Sequence, residues 1–297
     1  MKDNPTVGGQ AVIEGVMMRG EKLSATAVRA PSGKIVLDVK SVTSLRDKYK
    51  ILNLPFIRGA ISLFESLVLG MKALSFSAQA AGDEDETLSD KEIAVTMIVA
   101  FILAASLFIA IPTGATHFFM RFTDDAFILN IIEGLFRMII FFLYIVAITQ
   151  LKDIKRVFSY HGAEHKTIFC YEHKKPLTVE NAKVEPRLHP RCGTAFLLIV
   201  MLIATFVFAF TGWPDIFERV ISRIILLPVI AGISYEILKF SAKSDNKIIK
   251  LAILPGLWLQ YLTTKEPEDD MLEVAIEALK AVLPEDKIPD GSASYLY

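Results

Sequence analysis

Of the five histidines in the chain, His161, His165 and His189 lie in one stretch together with Cys192. The first two belong to His161-Gly162-Ala163-Glu164-His165, an H-x-x-E-H pattern. On a helix the i, i+4 spacing stacks both imidazoles on one face, at the separation that grips a single divalent ion. Glu164 stands beside them, where a carboxylate can take a proton from a metal-bound water whose pKa falls to roughly 7 on zinc. The chemistry implied is metal-dependent hydrolysis with Glu164 as the catalytic base. Catalytic zinc usually takes three protein ligands and a water, so a third donor must come from elsewhere in the chain. His189 is the first choice. Cys192 is the second, because a thiol at a helix N-terminus beside Arg191 readily becomes a thiolate. Glu14 and Glu236 are further carboxylates that the expected topology carries to the same face. The bland alternative is a hydrogen-bonded or pH-sensitive histidine pair with no metal.

Positioning the pair requires a helix, and the sequence supplies one. Ile154, Val157, Phe158, His161, His165, Ile168 and Phe169 form a continuous stripe at helical spacing. Around this helix the chain is apolar. It has 297 residues with 32 Lys plus Arg against 33 Asp plus Glu, a net charge of -1, and 53% hydrophobic residues. Mean hydropathy is +0.44. Such a balance excludes disorder, and it excludes a nucleic-acid partner recruited by bulk positive charge. Two cysteines do not make a disulfide scaffold.

The apolar residues gather into blocks long enough to cross a bilayer, where about 20 residues span a core of about 30 Å. Four spans are predicted, in two hairpins: Ile93 to Ile111, Phe127 to Gln150, Thr194 to Gly212 and about Val220 to Phe240. Glu133 and Arg137 interrupt the second at i, i+4 spacing and can neutralise each other. Glu236, near one end of the fourth, needs a partner for the same reason. Basic residues crowd the first 92 positions, the loop 151–193 and the segment after the fourth span. The positive-inside rule then puts both termini and the histidine loop in the cytoplasm, where Cys170 and Cys192 stay reduced.

Four segments follow from this pattern. Residues 1–54 form a glycine-rich and β-hairpin segment, with strands over Leu23 to Ala30 and Lys34 to Val42 and a third strand over 10–19. Residues 55–92 hold an amphipathic helix over Pro55 to Ala81, interrupted by Arg58, Glu65 and Lys72 and expected to lie on the membrane or pack on the bundle, and then an acidic linker. Residues 93–262 form the four-helix membrane domain with its H-x-x-E-H loop, closing on a second surface helix, Asn246 to Leu262, kinked or broken at Pro255-Gly256. Residues 263–297 form a tail with an amphipathic helix over Met271 to Leu283. The fold class expected is an α-helical integral membrane protein with a small cytoplasmic N-terminal β-hairpin subdomain. Gly15 to Lys22 is not a phosphate loop, and neither G-x-G-x-x-G nor G-x-S-x-G occurs.

Three segments, GGQAVIEGVMMRG (Gly8 to Gly20), HGAEHKTI (His161 to Ile168) and HPRCGTAF (His189 to Phe196), carry a resemblance to a known family. The chain resembles the YqhQ-like family of bacterial integral membrane proteins, a domain of unknown function described as predicted metal-dependent enzymes. The resemblance implies a bacterial membrane location and a metal site at His161, His165 and His189, with Glu14 and Cys192 nearby. Two functions are expected from different classes. One is a membrane-embedded metal-dependent hydrolase using a divalent metal, zinc first. The other is a non-catalytic membrane protein that regulates or stabilises another integral membrane complex, such as a protein translocase or protease. The lipid bilayer is the partner common to both.

Overall fold

The computed structural model describes residues 7–82, 90–241 and 246–289. Strands β1 (Gly8–Val12), β2 (Gly15–Arg19), β3 (Leu23–Arg29) and β4 (Ile35–Ser41) form one antiparallel sheet in the order β1-β2-β3-β4. The hairpin expected over residues 23–42 is β3 and β4, with Leu23 opposite Ser41 and Arg29 opposite Ile35. The single strand expected over 10–19 is instead most of a second hairpin. Val12 pairs with Gly15, leaving Ile13-Glu14 as a two-residue turn in which Glu14 adopts φ 50.

Strand side chains alternate between faces, and this sheet buries both. Val16, Met18, Ala25 and Ala27 pack on one side with Tyr160, Ala163, Leu272 and Leu279. Val12, Met17 and Val28 pack on the other with Ala73.

The helices are α1 (Leu45–Lys48), α2 (Ile57–Ala80), α3 (Asp90–Ala105), α4 (Ile111–His117), α5 (Ala126–Ile148), α6 (Lys152–Glu172), α7 (Val179–Lys183), α8 (Gly193–Ala209), α9 (Ile216–Ser241), α10 (Lys247–Thr263) and α11 (Asp269–Lys280). A wide π turn, Ser106–Ala110, joins α3 to α4. Its cause is Pro112, which has no N–H to offer the Phe108 carbonyl one turn earlier. The Arg137 Nε–H of α5 supplies that bond at 3.1 Å.

By length and composition, three helices among the described residues can cross a membrane: α2, the run Lys91–Arg121 and α5. The last two are the expected first and second spans. The expected third span is α8, a shorter apolar helix of 17 residues, and the expected fourth falls within the 26 residues of α9. Two of the three charges that interrupt α2 are used internally, and Lys72 is exposed. Arg58 pairs with Glu236 of α9, and Glu65 binds Arg19 and Ser44. The second half of α2 presents Leu69, Ala73, Phe76 and Ala80 to the sheet. Its opposite face exposes Phe64, Leu67, Met71 and Leu74.

The helix expected in the tail is α11, and it is a core element. Met271, Leu272, Val274, Ala275, Ile276, Ala278 and Leu279 are all buried in the cluster that contains the sheet and α6. The two ends of the chain therefore build one unit around α6. The segment leading to α11 crosses α6 so closely that a Cβ on Gly162 would stand 2.0 Å from the Lys265 carbonyl oxygen, which leaves room only for glycine. Residues 246–262, expected as a surface helix kinked or broken at Pro255-Gly256, form α10, which is unbroken through Pro255 and buries Leu259 and Gln260.

Candidate metal centre

The H-x-x-E-H segment is helical, in the middle of α6, and its two imidazoles lie on one face with ring centroids 4.4 Å apart. Each ring is fixed from behind by a main-chain carbonyl. His161 Nδ1 is 2.8 Å from the Thr263 oxygen at the end of α10, and His165 Nδ1 is 2.5 Å from the Arg187 oxygen. A carbonyl only accepts, so both protons sit on Nδ1 and both Nε2 atoms present a lone pair. The same back-bonding orients histidines in metal sites.

Cys192 faces those lone pairs. Its Sγ lies 3.2 Å from His161 Nε2, near the roughly 3.5 Å that two ligands of one tetrahedral zinc keep from each other. Ligand atoms of His161, His165 and Cys192 all fall within 4.8 Å of one another. His165 Nε2 is buried and makes no hydrogen bond of good geometry among the described residues, with the Cys192 thiol close by. A buried polar atom left unsatisfied is costly unless something occupies the position it faces. Two imidazoles and a thiol fit a divalent thiophilic ion, and three donors leave a tetrahedral ion one open position. Burial also pushes the His165 pKa below its ordinary value, which keeps the ring neutral and its lone pair available.

His189, the first choice for the third ligand, lies next to this cluster. Its ring centroid is 5.6 Å from that of His165 and 4.5 Å from that of Phe169. Its Nδ1 accepts the Arg191 N–H at 3.2 Å, and its Nε2 lies 3.4 Å from Glu172, which also pairs with Arg191. Gln260 of α10 holds the His189 backbone at both ends, accepting its N–H at 2.8 Å and donating to its carbonyl at 2.9 Å. Burial takes the His189 pKa down to about 4, against a smaller opposing pull from Glu164.

Cys192 occupies the N-cap of α8, where its sulfur takes the Thr194 N–H. Cys170 and Cys192 are not joined in a disulfide. Glu164 is buried, and burial raises its pKa against the pull of His161, His189 and the Gly9 N–H. Strand β1 makes room for it: a Cβ on Gly9 would stand 2.8 Å from the Glu164 Cγ and Oε1.

The two outlying carboxylates are committed elsewhere. Glu236 is held by Arg58 at 2.7 and 2.5 Å. Glu14 is held by Arg156 at 2.6 and 2.5 Å, with the Tyr160 hydroxyl at 3.4 Å. The Arg156 hydrogen bond holds the Glu14 pKa below the ordinary carboxylate value of 4.5, although burial opposes it. A folded-state carboxylate with a lowered pKa adds stability above its unfolded pKa and loses it as pH falls through the folded one. Glu14→Gln is therefore expected to cost about 1 kcal/mol at neutral pH, a partly exposed pair being worth little more. It should also flatten the acid limb of the stability curve below pH 4.5, read by melting temperature against pH.

The residues that sequence reasoning missed are those that orient the ligands: the carbonyls of Thr263 and Arg187, the Gln260 side chain and Gly9. Main-chain carbonyl acceptors leave no trace in residue type. Gly9 did carry a signal, lying in the GGQAVIEG run, but nothing there named Glu164 as its neighbour.

These features define a mostly helical protein with membrane-length apolar helices and a buried His-His-Cys cluster beside a small antiparallel sheet. The chain belongs to the family described as "Protein of unknown function (DUF1385)", whose model matches residues 54–285. It is 40% identical over 299 residues to the uncharacterized protein YqhQ of Bacillus subtilis (strain 168), covering 94% of this chain and 92% of that protein. No solved structure matches.

Proposed function

We propose that the chain is a multi-pass protein of the bacterial inner membrane, with both termini in the cytoplasm, and that it is a metal-dependent hydrolase with its site at the cytoplasmic face. His161, His165 and Cys192 hold the ion, zinc by the chemistry of the donors, and His189 stands behind them. One observation carries the reading. Both imidazoles are locked by carbonyls with Nε2 turned toward a thiol, and one of those nitrogens is buried with no hydrogen bond of good geometry among the described residues.

Zinc bound by three protein ligands supplies Lewis acidity and a water acidified to a pKa of roughly 7. The chain supplies the rest. Glu164 is the proton acceptor: burial brings a carboxyl pKa toward neutrality, where general acid–base catalysis works best. His189, kept neutral by burial, caps the site beside Phe169. Helix α2 lies along the interface with Phe64, Leu67, Met71 and Leu74 toward lipid, because its other face is taken by the sheet.

The rival reading is a non-catalytic membrane protein that stabilises another complex. It draws on the fact that the cluster ties α6 to the start of α8 and the end of α10, which a structural ion would also do. A structural zinc needs a fourth protein ligand, however, and only three donors form the group among the described residues. Metal stoichiometry of the detergent-purified chain decides between metal and no metal. About one ion per chain supports the proposal, and absence of bound zinc, iron or manganese removes it.

A further inference from the structure

At the end of α5 remote from the histidines, a cavity of about 710 Å³ opens between α4 and the turn from α8 to α9. The 23 residues of α5 put it about 35 Å from the start of α6, so nothing said of the metal cluster bears on it. Ile109, Gly114, Met120, Trp213, Arg219 and Arg223 are among its walls.

Arg219 is only 9% exposed. It donates to the Pro214 carbonyl at 2.8 Å and lies 3.7 Å over the Trp213 ring. Its Nε is buried without a partner among the described residues, and so is that of Arg223, whose other nitrogens bind Glu133 at 2.5 and 2.7 Å.

The charges that line the cavity do not balance. Arg219 and Arg223 face one carboxylate there, Asp215, which is already engaged with the N–H groups of Phe217 and Glu218 at 2.9 and 3.1 Å, and the Glu133 partner of Arg223 is shared with Arg137. A guanidinium excess walled by apolar side chains calls for an anion. A bare anion would leave the apolar walls wet, whereas a bare hydrocarbon would leave the arginine donors unpaired. An amphiphile with an anionic phosphate head answers both. Beside the opening, Ile216 and Phe217 are 68% and 71% exposed, an apolar exterior suited to lipid. Trp213 and the arginines sit at the bundle end, where aromatic and basic side chains meet headgroups.

We infer that this cavity binds the phosphate head and upper acyl chain of an anionic phospholipid. The test uses the full chain in a non-ionic detergent, with melting temperature read against added dioctanoyl phosphatidylglycerol, dioctanoyl phosphatidylcholine or inorganic phosphate. Phosphatidylglycerol is expected to raise the melting temperature well above the other two. Arg219→Gln is expected to shift its half-saturating concentration about tenfold higher, the loss of one charge-assisted contact. Gly114→Phe gives a second, independent arm. A Cβ on Gly114 meets nothing within 4 Å, so the new ring fills the cavity while both arginines stay. That variant too should bind phosphatidylglycerol about tenfold more weakly. An equal response to phosphatidylcholine, an equal response to inorganic phosphate, or an undiminished phosphatidylglycerol response in Gly114→Phe overturns the inference.

Discussion

Alanine at His161 or His165 is expected to strip the purified chain of its divalent ion, lowering affinity by more than the hundredfold or so that loss of an outer-shell partner costs. Each of these rings has one nitrogen committed to a carbonyl and the other turned into the cluster, so no second donor rotates in when either is removed. Cys192→Ser should lose most of the ion as well, because a serine hydroxyl is a poor ligand for a thiophilic metal. His189→Gln separates the two ligand sets. If the third donor is Cys192, the variant keeps the ion within about tenfold, as expected for a neighbour that only shapes the site. If it is His189, the variant behaves like His161→Ala. Glu164→Gln should retain the ion in full, since Glu164 packs against Gly9 and is not among the grouped donors. Elemental analysis after dialysis against a weak chelator reads all five proteins. Loss of the ion from Glu164→Gln would make that carboxylate a ligand and end its assignment as the base.

The part of the site legible in the sequence is the part written in local spacing. His161 and His165 were readable because four residues make one helical turn, and the apolar stripe through Ile154 and Phe169 fixed which way that helix faces. The choice between His189 and Cys192 was not readable. It turns on contacts far apart in the chain, such as that of Gln260, 71 residues further on, which grips the His189 backbone just ahead of Cys192 at the start of α8. The pairing of Glu14 and Glu236 was unreadable for the same reason: their partners, Arg156 and Arg58, are 142 and 178 residues away.

Elements followed the same rule. The hairpin of β3 and β4 had a Pro-Ser-Gly turn to mark it, while the turn between β1 and β2 rests on Glu14 at positive φ, which no residue type announces. Helix α11 has the amphipathic pattern of any surface helix. Only the sheet's second buried face, visible once the strands are assembled, makes it part of the core.

Glu133→Gln is expected to destabilise the helical bundle by about 3–5 kcal/mol, the cost of breaking a buried ion pair from one side. The sequence already paired Glu133 with Arg137, and that contact is present at 2.7 Å. What the sequence did not reveal is the pairing with Arg223, which approaches the same carboxylate from α9 at 2.5 and 2.7 Å, while Thr113 adds a bond from α4 at 3.3 Å. Glu133 is 1% exposed, so one carboxylate buried between α4, α5 and α9 holds two guanidinium groups that have little water to turn to. Removing its charge leaves both cations uncompensated in an apolar setting, where the alternative of shedding the proton is closed to arginine. The effect should therefore greatly exceed that of Arg223→Gln, which leaves Glu133 still paired with Arg137. The double variant Glu133→Gln with Arg223→Gln should recover part of the loss, because one of the stranded charges goes with it. Melting temperatures of the four proteins in one detergent give the cycle. Strictly additive losses would mean that the two helices do not meet through this pair, and that the contact between α5 and α9 rests on packing alone.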